Sequence, residues 1–255
     1  MKRLQALLFV FATLLSSAAL AEKITIATAA DLKFAMDEIA VAFRKANPGD
    51  QVEVIYGSSG KFFTQISNGA PFDLYFSADI AYPRELEQKG LAAGKTRPYA
   101  FGRIVLWSLK PELARMTLKD LPAASIRKFA IANPQHAPYG LRAREALQHQ
   151  GVWEAMQARL VLGENIAHTA QFVDSGAADA GIVALALVLS PTMQGKGAWT
   201  LIPAEWHAPL EQGYVVTKRA AGNRLAADFA GYMATEPARA VMRRYGFTLP
   251  GEEGK

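Results

Sequence analysis

Short apolar strands alternate with amphipathic helices along this chain, and the alternation runs through twice. "KITIATAA" (23–30) reads as a strand, and "DLKFAMDEIAVAFRKANPG" (31–49) as a helix with Leu32, Met36, Ile39, Ala40 and Phe43 on one face. Asp31 is placed to cap that helix and Gly49 to end it. "QVEVIYG" (51–57) is the next strand, "KFFTQISNGA" (61–70) a short helix, "FDLYFSAD" (72–79) a third strand, and "AYPRELEQKG" (81–90) a helix closing at Gly90. The second pass has strands at "RIVLWSL" (103–109), "KFAIANP" (128–134), "LVLGE" (160–164) and "DAGIVAL" (179–185). Helices fall between them at 140–160, as a pair, and at 165–178. "WTLIP" (199–203) and "EQGYVVTK" (211–218) follow, and two helices over 223–235 and 236–247 finish the chain.

This order predicts an α/β chain of parallel βαβ units with helices on both faces of each sheet. Two passes predict two lobes, residues 22–102 with 212–255 and residues 103–211, joined by crossings near Gly102 and Gln212. The last two helices are expected to return to the first lobe.

The first 21 residues, "MKRLQALLFVFATLLSSAALA", have a basic start, an apolar run from Ala6 to Leu15 and a small-residue end. That is the pattern of a secretory signal peptide, with cleavage expected after Ala21. The apolar run is about half of the roughly 20 residues that a membrane-spanning helix needs. The chain has no cysteine, which excludes a disulfide framework, a thiolate metal site and a lipid-modified Cys at the cleavage point. A free protein of the periplasm is expected, with no membrane insertion once the signal is removed. The formal charge is +5, of which Lys2 and Arg3 supply two, and the remaining basic residues form no stripe of the kind that nucleic acid requires.

In open α/β sheets, ligands sit beyond the carboxyl ends of the strands, where helix N-termini present free N–H groups. Four such junctions stand out: Ala29-Ala30-Asp31, Gly57-Ser58-Ser59-Gly60, Pro138-Tyr139-Gly140 and Gly163-Glu164-Asn165-Ile166. Each is compatible with ordinary capping. Together, two in each lobe, they describe a clamp for one small anion, favoured by the helix dipoles.

Enzyme readings fail on specifics. Gly60-Lys61 is followed by Phe62, and Ile55 stands where a Walker loop needs its first Gly. "GSSG" is not the Gly-x-Ser-x-Gly of a nucleophile elbow. His136, His149, His168 and His207 show no metal-ligand spacing.

"TAADLKFAMDEIA", "YGSSGKFFTQISNGAPFDLYFSAD", "NPQHAPYGLRAREAL" and the closing "RRYGF" resemble periplasmic molybdate-binding proteins, the solute receptors of molybdate and tungstate ABC transporters. The resemblance covers nearly all of the chain after the signal. It implies a type II periplasmic-binding fold that closes as a monomer on a tetrahedral dianion and delivers it to a membrane permease. No cofactor is implied, and molybdate or tungstate is the cargo. It also implies ligand contacts from Ser59, from the N–H of Tyr139 and from the N–H of Ile166; by position, Lys61, two residues past Ser59, and Asn165, beside Ile166, are placed to support them. Another anion such as a phosphate ester is the alternative ligand, and a secreted hydrolase on the same lobes the alternative class.

Two positions depart from the family pattern. Ala184 stands where a Tyr often follows "GIV", so a hydroxyl is missing there. Asp31 stands where the family commonly has a small neutral donor. A carboxylate about 4 Å from an oxyanion costs roughly 4 kcal/mol per unit charge at an effective dielectric near 20, nearly three orders of magnitude in affinity. Three outcomes are open: Asp31 turned away as a cap, Asp31 paired with Lys61 or Lys33, or a pocket holding a protonated or cation-bridged anion.

Overall fold

The computed structural model describes residues 22–252; the expected signal peptide lies outside them. The strands are β1 (Lys23–Ala29), β2 (Gln51–Gly57), β3 (Leu74–Ser77), β4 (Arg97–Gly102), β5 (Ile104–Ser108), β6 (Phe129–Ala132), β7 (Leu160–Gly163), β8 (Ala180–Ala184), β9 (Ala198–Leu201) and β10 (Leu210–Val216). They form two five-stranded sheets, in the orders β2-β1-β3-β10-β4 and β7-β6-β8-β5-β9. The helices are α1 (Lys33–Ala46), α2 (Ser59–Ser67), α3 (Ala81–Gln88), α4 (Pro111–Ala114), α5 (Pro138–His149), α6 (Trp153–Met156), α7 (Ile166–Asp174), α8 (Leu185–Val188), α9 (Arg224–Tyr232) and α10 (Glu236–Arg244).

The parallel units expected from the alternation are present, since β1 pairs in parallel with β2 and β3, and β6 with β7 and β8. Each sheet also carries one antiparallel strand. β10 lies between β3 and β4, and β5 between β8 and β9. In both sheets that strand is the one that has just crossed from the other sheet, so its direction follows from the chain's route. Arg103 alone separates β4 from β5, and the return strand β10 begins at Leu210.

Every residue of the central strands β3 and β5 is buried, as strands covered by helices on both faces must be. One face of the first sheet packs on α1, α9 and α10 through Met36, Ile39, Phe43, Leu225, Phe229 and Met242. Its other face packs on α2 and α3 through Phe62, Ile66, Tyr75 and Leu86. The second sheet has its own core around Trp107, Phe129, Ile131, Leu147, Met156 and Val173. The buried residues of α1 (Ala35, Met36, Ile39, Ala40, Phe43) recur at helical spacing, and the helix ends at Asn47 ahead of Gly49, whose φ of 99° suits glycine. Among the described residues no helix is long and apolar enough to cross a membrane.

Candidate functional site

The carboxyl ends of β1, β2, β6 and β7 converge, and the four junctions that follow them line one cavity together with Ala78 beyond β3. The cavity is small, with about 10 Å3 of it open to the centre of a water molecule. It is a site for one small ligand rather than a groove. Larger grooves exist, but the one beside Arg97, Tyr214 and Asn223 is lined from the first lobe only, without donors converging from two sheets.

Ser59 opens α2 and is 1% exposed. Its hydroxyl oxygen accepts the backbone N–H of Ala78 at 3.0 Å, so its one proton is left to donate elsewhere. Its carbonyl accepts the Tyr75 hydroxyl at 2.7 Å, which fixes the start of the helix. Tyr139 and Ile166 stand in the first turns of α5 and α7, where backbone N–H groups have no helical carbonyl to reach. The Asn165 side chain caps α7 by accepting the His168 N–H at 2.9 Å, leaving the Ile166 N–H uncapped at the cavity wall. Gly140 lets α5 start hard against β6, since a Cβ there would lie 2.0 Å from the Ala132 carbonyl oxygen.

Asp31 does not cap a helix. It sits within a short 3-10 turn (Ala30–Leu32) ahead of α1, with no capping bond from its side chain. It is 1% exposed. Its Oδ2 accepts the Tyr139 hydroxyl at 2.9 Å and the Gln212 Nε2 at 2.7 Å. Gln212 also donates to the Tyr139 hydroxyl at 3.1 Å and accepts the Tyr99 hydroxyl at 2.6 Å. Asp31 Oδ1 is buried with no hydrogen-bond partner. Burial pushes the Asp31 carboxyl up to about 6, against the opposing pull of the bonds from Gln212 and Tyr139 and of the nearby N–H groups of Asp31 and Leu32. Those two N–H groups pull on the carboxylate without making a full hydrogen bond to Oδ1. Burial, followed by the charge of Asp31, raises the Tyr139 and Tyr99 hydroxyls well above their ordinary range, so both stay neutral donors.

Neither expected cation reaches Asp31. Lys33 turns to Asp37 at 2.6 Å. Lys61 pairs with Glu164 across the cleft at a half-exposed rim, and it does not line the cavity. The carboxylate is therefore held by neutral donors. Ala184 is fully buried at the end of β8 and is likewise absent from the cavity wall. The Tyr139 hydroxyl does not stand free in place of the missing family hydroxyl, because Asp31 and Gln212 engage it.

Sequence reasoning missed three groups. Gln212 was legible only as a crossing point, and Tyr99 not at all. The third is the His136 backbone: its carbonyl accepts the Ser58 hydroxyl at 2.5 Å and the Gly60 N–H at 2.9 Å, joining α2 to the loop before α5. A Cβ on Gly60 would lie 2.7 Å from that carbonyl oxygen, so only glycine allows this approach. Gly102 plays the same part at the crossing, where a Cβ would lie 2.2 Å from the Tyr139 hydroxyl and 2.6 Å from Gln212 Nε2.

Two sheets joined by two crossings, with convergent helix N-termini around a small cavity between them, define a solute receptor. Residues 24–248 match the family model of bacterial extracellular solute-binding proteins, and the chain belongs to that family. It is 36% identical over 240 residues to the molybdate-binding protein ModA of Azotobacter vinelandii, covering 93% of this chain and 94% of that one. It is 34% identical to the molybdate-binding protein ModA of Rhodobacter capsulatus, covering 90% and 89%. The solved structure of the periplasmic molybdate-binding protein of A. vinelandii superposes with a TM-score of 0.83 at 35% identity, over 89% of this chain and 99% of that one. The sulfate-binding protein SubI of Mycobacterium tuberculosis shares the fold at a TM-score of 0.71 and 16% identity.

Proposed function

We propose that this chain is the periplasmic receptor of an ABC transporter, binding molybdate, and tungstate by the same contacts, in the cavity between its lobes. The observation that carries the reading is the convergence of donors from both sheets on one small cavity. The Ser59 hydroxyl, polarised by the Ala78 N–H it accepts, donates from the first lobe. The Tyr139 and Ile166 N–H groups donate from the second, at the positive ends of α5 and α7. Asn165 aligns the α7 terminus, and Asp31 forms the floor with Tyr139 and Gln212.

Residues 22–102 with the return segment from β10 (Leu210–Val216) onward act as one body, and the second sheet with its helices as the other, in a monomer freed from its signal peptide after Ala21. An anion touching both bodies stabilises the closed arrangement because only that state makes all the contacts. The closed receptor then presents its cargo to a permease of the inner membrane. The relatives named as molybdate-binding proteins favour molybdate over a phosphate ester. Fixed N–H donors discriminate against sulfate, because they cannot close around a smaller ion.

Titration calorimetry of the purified, ligand-free protein with molybdate, tungstate, sulfate and phosphate tests this. Binding of molybdate and tungstate with a Kd below about 1 µM, or about 8 kcal/mol, and far weaker sulfate binding is the expected result. Binding of sulfate or phosphate in preference to both metal oxyanions overturns it.

A further inference from the structure

Asp31 is a buried carboxylate on the wall of a cavity built for anions, and half of it is unsatisfied. Oδ2 is filled by Tyr139 and Gln212, while Oδ1 has no partner. Asp31 lines the cavity, and its buried oxygen without a full hydrogen bond can be satisfied by a hydrogen shared with a bound ligand. We infer that the complex holds one proton shared between Asp31 Oδ1 and an oxygen of the bound oxyanion, so that each capture event takes up one proton. This rests on the receptor reading above and adds the chemical state in which the site holds its cargo.

Among the described residues, none of the groups packed around Asp31 is a free cation that could neutralise its charge. From α5 comes Tyr139, from β4 Tyr99 and from β10 Gln212, all neutral. From α2 come the hydroxyls of Ser58 and Ser59, and Lys61 of that helix turns outward to Glu164. On α1, Lys33 and Asp37 pair with each other. On α7, His168 packs on Phe172 at 4.4 Å and lies beside the Glu164 N–H, and α8 carries no titratable residue. His136 bonds Ser58 rather than Asp31, and burial holds it below its ordinary range.

The relative sizes of two penalties decide the outcome. With the Asp31 carboxyl at about 6, protonating it at pH 7 costs about tenfold in affinity. Leaving it ionised about 4 Å from the anion costs roughly three decades per unit charge. The protonated complex therefore wins by about two decades. Atoms and charge balance simply: one dianion, one carboxylate and one proton from solvent give the complex. The shared proton is bound more tightly in the complex than in the free protein. Affinity is therefore flat below about pH 6 and falls as pH rises above it, about tenfold per unit.

The test is calorimetric titration of the purified protein with sodium molybdate at pH 7.5, in two buffers of different ionisation enthalpy. The expected result is a heat that changes with the buffer by an amount equal to close to one proton taken up per anion. Asp31→Asn puts an amide donor at the cavity in place of the shared proton. It is expected to bind with no buffer dependence and about a hundredfold more tightly than the parent at pH 8. Should Asp31→Asn misfold, the parent's buffer dependence decides the matter alone. Molybdate binding with no proton uptake overturns this inference and leaves the receptor reading standing. Binding of neither molybdate nor tungstate overturns both.

Discussion

Replacing Ser59 by alanine removes one oxygen that has two duties, and the two can be measured apart. In the protein itself, Ser59 Oγ accepts the Ala78 N–H at 3.0 Å, and both residues are almost fully buried. Ser59→Ala leaves that N–H without a partner, which costs about 1–3 kcal/mol of stability. Toward an anion, the same hydroxyl is a donor to a charged acceptor, worth about 1.5–3 kcal/mol. The variant should therefore bind molybdate about ten- to a hundredfold more weakly. Urea unfolding of the ligand-free protein reads the first effect, and calorimetric titration of protein shown to be folded reads the second. If stability falls while the molybdate Kd stays within about twofold, the hydroxyl serves only to hold Ala78, and the donor role assigned to it is wrong.

The Asp31 carboxyl also sets a pH dependence of stability in the ligand-free protein. Its ordinary value of 3.8 rises to about 6 on folding, so the folded state holds this proton more tightly. The associated stability is complete below about pH 4 and is lost as pH rises through about 6. Asp31→Asn, neutral throughout, should be more stable than the parent by about 3 kcal/mol at pH 8, with the gap closing toward pH 4. Denaturant titrations of both proteins at the two pH values check this, and a gap that does not vary with pH contradicts it. Gly102→Ala would drive a methyl group into the Tyr139 hydroxyl and Gln212. It should lower stability by about 1–3 kcal/mol and weaken anion binding together, whereas an unchanged melting temperature and Kd would mean that the crossing yields freely.

Much of the architecture was legible because its signals are local. Apolar residues at helical spacing marked α1, and the Gly-Ser-Ser-Gly and Pro-Tyr-Gly runs marked helix starts that do line the cavity. β4 escaped notice because Pro98 breaks its pattern; it is an edge strand, where proline is tolerated. The direction of Asp31 was not legible, since its partners lie 108 and 181 positions away. A capping residue and a buried network member look identical from their neighbours in sequence. Lys61 illustrates the same limit: two residues from Ser59 it suggested charge for the site, yet its partner Glu164 belongs to the opposite rim. Local patterns place helix ends, whereas contacts across the cleft depend on how two separately folded sheets come together.

The central claim is that one oxyanion sits in the cavity and touches both lobes. Anomalous diffraction at a tungsten absorption edge, from crystals grown with tungstate, tests it most directly. The account predicts a single strong peak within reach, through the anion's oxygens, of the Ser59 hydroxyl, the Tyr139 and Ile166 N–H groups and Asp31 Oδ1. A peak elsewhere on the protein, or none in the cavity at saturating tungstate, would contradict it.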